Sequence, residues 1–281
     1  MAIKRVLLPV TEGARFEPLA DAAFYLGETF SAQVVGLFVQ APALVIPVDD
    51  FVSVAEVGTL AAAARERRRE AAVKAESMFK AATERFPHVE SAYRSITDDV
   101  AASFVQHGRL ADISVIGQPD TLEDGFWGSS YWVDMQNALL FRSGRPMLMV
   151  PAQAGRPKFE TVVIAWKQSL EAARAIAAAQ PFMATAREVH LFTIDDGKGS
   201  EAVTSLREAE EYLSLHYNEL RSEVIRGEPH QVGKLLLAQA TRLGALLVMG
   251  AFSHWRWQER LLGGATDYVL REANTPVLMM H

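Results

Sequence analysis

The sequence of 281 residues contains no cysteine. Disulfides, thiolate zinc sites, iron–sulfur clusters and cysteine nucleophiles are therefore excluded. Long hydrophobic runs are also lacking: no stretch approaches the roughly 18 apolar residues of a membrane-spanning helix. Val6 to Val10 is too short for the core of a secretion signal, and no small-residue cleavage site follows it. These features lead us to expect a soluble, cytoplasmic protein with no membrane partner. Positive charge is not in excess, since 28 Lys and Arg stand against 34 Asp and Glu for a net charge of -6. That balance is wrong for a protein that binds nucleic acid by neutralising phosphates, and no nucleic-acid partner is expected. The seven histidines show neither H-x3-H nor H-E-x2-H spacing, so no metal site built from protein ligands is expected. The G-x4-G-K-[ST] loop and the pyrophosphatase-type S-G-G-x-D-S loop are absent as well.

What is present is ordinary globular composition, 49% hydrophobic and 22% charged, in a length that suits two domains. An internal repeat makes the two domains copies of one fold. RVLLPV (5–10) and TVVIAW (161–166) are apolar runs of the kind that buried parallel strands show. Each precedes a helical pattern, Pro18 to Phe30 and Leu170 to Ala179, and then a second strand, 34–39 and 189–194. ADISVIG (111–117) parallels ALLVMG (245–250), and RPMLMVP (145–151) parallels TPVLMMH (275–281). The offset falls from 156 at the first strands to 133 at Gly117 and Gly250, and to 130 at Pro146 and Pro276. The first half is thus longer in its middle, where Leu60 to Arg85 forms a long helical pattern that reads as an insertion. Its charge run RERRRE (65–70) reads as a solvated helix face.

The expected organisation is a first domain over 1–151, a linker over 152–160 and a second domain over 161–281. Strands alternating with helices imply doubly wound parallel sheets. Ligands of such sheets bind beyond the carboxyl ends of the strands, where the strand order reverses.

One loop there carries a phosphate-cradle pattern. Gly250, two residues, Ser253, nine residues, Gly263 and Gly264 lead into a helical segment from Asp267 to Ala273. Small residues let backbone N–H groups approach an anion, and a helix N-terminus favours negative charge. This spacing resembles the G-x2-G-x9-G-[ST] loop of the universal stress protein family, and Ala273-Asn-Thr-Pro276-Val-Leu resembles that family's last strand. The resemblance covers both halves. It implies two tandem five-stranded α/β domains of the adenine nucleotide alpha hydrolase-like fold, joined through their last strands as an intrachain pseudo-dimer, with a homodimer of the tandem chain as a further step.

The resemblance also implies an adenine nucleotide, ATP or AMP, in the second domain, with Mg accompanying ATP. Its contacts would come from Ala165, Trp166, Lys167, Thr193, Met249, Gly250, Ser253, Gly263, Gly264, Ala265 and Thr266. Lys167 stands where nucleotide-binding members carry an Asp, and Gly264 where they carry Ser or Thr. The first half departs further: thirteen residues before Pro146 is Val133, followed by Asp134, whose carboxylate would repel a phosphate. A shifted register would use Gly128-Ser129-Ser130 instead. The first domain is accordingly read as a degenerate partner, for which no ligand is an equally good expectation. No nucleophile, base and orienter set is evident, so at most slow ATP hydrolysis is expected. The competing reading is a stress protein that binds no nucleotide and acts through a protein partner or another small ligand in the same crevice.

Overall fold

The computed structural model describes residues 2–11, 16–42, 54–118, 128–151, 159–195, 197, 199–217, 219–251 and 264–281. The first half comprises β1 (Arg5–Pro9), α1 (Phe16–Phe30), β2 (Gln33–Gln40), α2 (Val54–Arg85), β3 (Ser91–Thr97), α3 (Val100–Arg109), β4 (Ile113–Gly117), α4 (Gly128–Asn137) and β5 (Met147–Val150). The second comprises β6 (Thr161–Ala165), α5 (Leu170–Thr185), β7 (Glu188–Asp195), α6 (Ser200–Ser214), β8 (Leu220–Arg226), α7 (Val232–Leu243), β9 (Leu246–Gly250), α8 (Ala265–Glu272) and β10 (Val277–Met280).

The ten strands of the described residues form one sheet in the order β3-β2-β1-β4-β5-β10-β9-β6-β7-β8. Every pairing is parallel except the central one, where Leu148 of β5 faces Leu278 of β10 antiparallel. Each half therefore has the order 3-2-1-4-5, and the two are related by an approximate two-fold at the β5–β10 seam. The repeat offsets recur in the hydrogen bonds. Val10 N donates to Leu37 O at 2.9 Å as Trp166 N donates to Phe192 O at 2.7 Å. Ser114 N donates to Pro146 O at 3.1 Å as Leu247 N donates to Pro276 O at 3.0 Å.

The apolar strands are buried on both faces, so alternate side chains feed two separate cores. Val6 and Leu8 face a cluster built with α1, α2, α5 and α6, whereas Leu7 faces one built with α3, α4, α7 and α8. Both clusters draw residues from both halves. Phe182 of α5 stacks edge-on against Phe30 of α1 at 5.4 Å and against Phe159 at 5.1 Å. Packing these three rings together joins the halves in addition to strand pairing.

Two expectations change here. The long helical pattern is no insertion: α2 is the β2-to-β3 crossover, and α6 is its counterpart, 32 residues against 15. The helix after the second first-strand also runs on past Ala179, through Pro181, to Thr185, because the buried face of Ala179, Phe182 and Met183 outweighs one lost backbone bond. Of the expected linker, 152–160, residues 152–158 lie outside the described residues.

Candidate functional site

In each half the strand order reverses between the first and fourth strands, which in the second half are β6 and β9. Ala165, at the end of β6, is in register with Phe192 on one side and Met249 on the other. Five of the expected residues, Ala165, Trp166, Thr193, Met249 and Gly250, are thereby brought to the carboxyl edge of three adjacent strands. Helices following parallel strands begin at this edge, so the N-termini of α5, α7 and α8 all lie there, adding positive dipole ends.

The geometry gives each residue a specific setting. Thr193 is buried, and its hydroxyl donates to the carbonyl of Trp166 at 2.9 Å. Trp166 is half-buried against the α5–α6 core, and its indole N–H donates to Ser205 O at 3.0 Å and to Ser205 Oγ at 2.9 Å. The indole nitrogen thus has partners on α6. Lys167, one residue beyond, is exposed. Met249 is buried within β9.

Gly250 is held closely by α5. A Cβ placed on it would lie 2.6 Å from the Ala172 amide nitrogen and 2.7 Å from the Glu171 carbonyl carbon. Glycine here lets the strand end pass beneath the first turn of α5, which Ser169 caps through its hydroxyl, accepting from Ala172 N at 3.2 Å. Gly233 allows a second close approach, since its Cβ would lie 2.8 Å from the carbonyl of Ala265. That contact sets α7 against the start of α8.

Gly264 is the N-cap of α8 in ordinary extended conformation, φ -74° and ψ 167°, and a Cβ on it would meet nothing within 4 Å. Neither backbone conformation nor packing by the described residues demands glycine at 264. Having no side chain, it contributes no capping oxygen to the first-turn N–H groups, a role that Ser, Thr, Asp or Asn would fill better. Ala265 and Thr266 form the first turn, with Thr266 buried. Asp267 pairs with Arg271 one turn later. Ser253 and Gly263 lie outside the described residues.

The first half places its counterparts differently from the residue count. Helix α4 begins at Gly128 and runs without a break into a π-helical turn at Ala138–Arg142. Val133 and Asp134 are therefore inside the helix, not at its start. The connection before α4 spans 118–127, against 251–264 before α8, so the extra length of the first half here is helix. Counting back from Pro146 fails because it assumes equal helices. Gly128-Ser129-Ser130 opens α4 as Gly264-Ala265-Thr266 opens α8. Tyr131 is buried in the next turn and donates to Val39 O at 3.3 Å, beside the carboxyl end of β2. Thr11, the counterpart of Lys167, is buried.

Sequence reasoning passed over Ser205 and Asp195. Ser205 carries no local signal, because its role depends on α6 packing over Trp166. Asp195 accepts from Gly197 N at 3.1 Å and from Gly199 N at 2.7 Å, ordering the turn into α6. The Asp-Asp-Gly run at 195–197 is the turn chemistry that could have found it. Among the described residues, no group of three or more His, Asp or Glu is arranged to hold a metal ion, and no helix is long and apolar enough to cross a membrane.

A doubly wound pair of α/β units with helix N-termini around each switch point defines the class, the adenine nucleotide alpha hydrolase-like fold. Residues 158–281 match the model of the universal stress protein family. The second half is thus a domain of that family, and the first half repeats the same fold. Three solved structures share the whole architecture. A universal stress protein from Archaeoglobus fulgidus is 17% identical with a TM-score of 0.68, and the match covers 98% of this chain and 97% of that one. A functionally unknown protein from Pseudomonas aeruginosa is 15% identical with a TM-score of 0.57, covering 99% and 92%. The cytoplasmic domain of a prokaryotic cation chloride cotransporter is 12% identical with a TM-score of 0.55, covering 99% and 95%. No curated protein matches the chain by sequence.

Proposed function

We propose that this universal stress protein binds an adenine nucleotide, ATP or AMP, at the carboxyl edge of β6 and β9, and that binding rather than turnover is its function. Gly264 carries this reading. Among the described residues neither backbone conformation nor packing requires glycine at this position, which opens α8 next to a strand-order reversal, where an anionic group would meet backbone donors. The phosphates would lie between Gly250 and the start of α8 at Gly264–Thr266, with Ser253 and Gly263 in the same stretch of sequence, and the nucleoside would extend toward Thr193. Hydrolysis, where it occurs, is read as slow, since among the described residues no general base or nucleophile is disposed around these positions. Magnesium would enter with ATP, held by its phosphates. The protein is read as cytoplasmic, and its first domain as a structural partner.

The test is equilibrium binding of ATP and AMP to the purified chain and to Gly264→Asp. Aspartate is a favourable N-cap and suits the backbone at 264, so the variant folds. Its carboxylate repels phosphate, and affinity should fall at least about tenfold. Equal affinity in both proteins would sink the assignment.

Exposed Lys167, standing where nucleotide-binding relatives are acidic, favours a second reading in which the crevice takes a different anionic ligand or a protein partner. Mass spectrometry of the natively purified chain separates the two. Co-purified nucleotide supports the first reading, and a non-nucleotide anion supports the second.

A further inference from the structure

We propose that the solvent face of α2 pairs antiparallel with α2 of a second copy of this chain, Glu66 of each copy lying against Arg69 of the other. The sheet offers little room for association elsewhere. Its apolar β5 and β10 edges pair within the chain, and its margins are the half-exposed strands β3 and β8, with exposed Arg94, Arg221, Glu223 and Arg226. Charged margins of this kind resist edge-to-edge pairing.

Helix α2 is more than twice the length of its counterpart α6. It buries Ala71, Ala75, Phe79 and Ala82 against the domain, while no residue from Gly58 to Glu70 is buried. On the opposite face Ala62, Glu66, Arg69, Val73, Glu76 and Lys80 recur at alternating spacings of four and three, and all six are exposed. That spacing places all six on one stripe of the helix surface. Val73 is 62% exposed, and a shallow groove lined by Glu66, Arg69, Val73 and Met78 runs along the same stretch.

The stripe is complementary to itself in one orientation. Laid antiparallel about a point between Arg67 and Arg68, Glu66 falls opposite Arg69 of the second copy, and Arg69 opposite its Glu66. Val73 falls opposite Ala62, and Glu76 opposite Thr59. Both central contacts join opposite charges, and the flanking layers set the exposed valine on a small residue. The seam from 59 to 76 is about 25 Å long, short enough to place the dimer among weak, concentration-dependent associations.

Sedimentation of the full chain over about 1 to 300 µM tests this. The expected result is a dimer that dissociates on dilution. Glu66→Arg or Arg69→Glu alone places like charges across the seam and should weaken it about tenfold or more. The double variant E66R/R69E should restore it. The absence of native cysteine allows an independent measurement: Ala62→Cys combined with Val73→Cys should oxidise to a covalent dimer, while Ala62→Cys alone should not. A wild-type chain that stays monomeric, a single charge variant that dimerises normally, or a double variant that is not restored would each overturn the proposal.

Discussion

The indole N–H of Trp166 donates to both the carbonyl and the hydroxyl oxygen of Ser205, at 3.0 and 2.9 Å. The first-strand end of the second half is thereby tied to the crossover helix α6, which otherwise packs through Leu206, Ala209 and Leu213. Trp166→Phe keeps much of the ring contact and removes the N–H. It should destabilise the chain by about 1–2 kcal/mol, through the lost bond and the desolvated Ser205 carbonyl. Urea unfolding of Trp166→Phe and Ser205→Ala checks this, and the double variant should cost less than the sum.

The equivalent glycines Gly117 and Gly250 differ in what surrounds them. A Cβ on Gly250 would strike α5 backbone at 2.6 Å, whereas on Gly117 its nearest neighbour is a flexible Leu19 methyl at 3.3 Å. Gly250→Ala should therefore cost about 1–3 kcal/mol, and Gly117→Ala under about 1 kcal/mol. A comparison of denaturation midpoints decides it, and equal losses would contradict the close α5–β9 approach.

Burial holds two phenols in their neutral form. The Tyr93 hydroxyl is pushed up from 10.0 to about 12, chiefly by burial, with Glu76 adding to the effect and Ser95 opposing it. Tyr131 is raised as well, by burial that its bond to Val39 only partly offsets. A phenol whose pKa is higher folded than unfolded contributes stability fully below pH 10, and that contribution is lost as pH rises through about 12. Melting temperature should accordingly fall between those limits. The fall should be shallower in Tyr93→Phe and Tyr131→Phe than in the wild-type chain.

The central strands were legible because residues such as Val6, Leu8, Val162 and Ile164 are buried between two helical layers and read as continuous apolar runs. Strands β3 and β8 were not, since Ser91–Thr97 and Leu220–Arg226 lie half in solvent at the sheet margins and mix Arg, Ser and Glu with apolar residues. The start of α4 was misplaced because a π-helical turn at Ala138–Arg142 adds residues within a helix, which no count between fixed glycines and prolines detects. For the site, positions along the chain revealed which residues gather beyond β6 and β9. Tertiary contacts alone revealed that Gly250 serves helix packing and that Trp166 is engaged by α6. The reason for glycine at 250 and at 264 thus differs, although both belong to one spacing pattern.

The antiparallel seam of Leu148 and Leu278 has a consequence for concentration. Association of two separate α/β units through their last strands would be bimolecular and would weaken on dilution. Carrying both units on one chain replaces that equilibrium with a fixed local concentration, on the order of millimolar for a short tether. The pairing then persists at any cellular abundance, and the two units are always made in equal number. One can diverge at its carboxyl edge while the other continues to supply the matching seam.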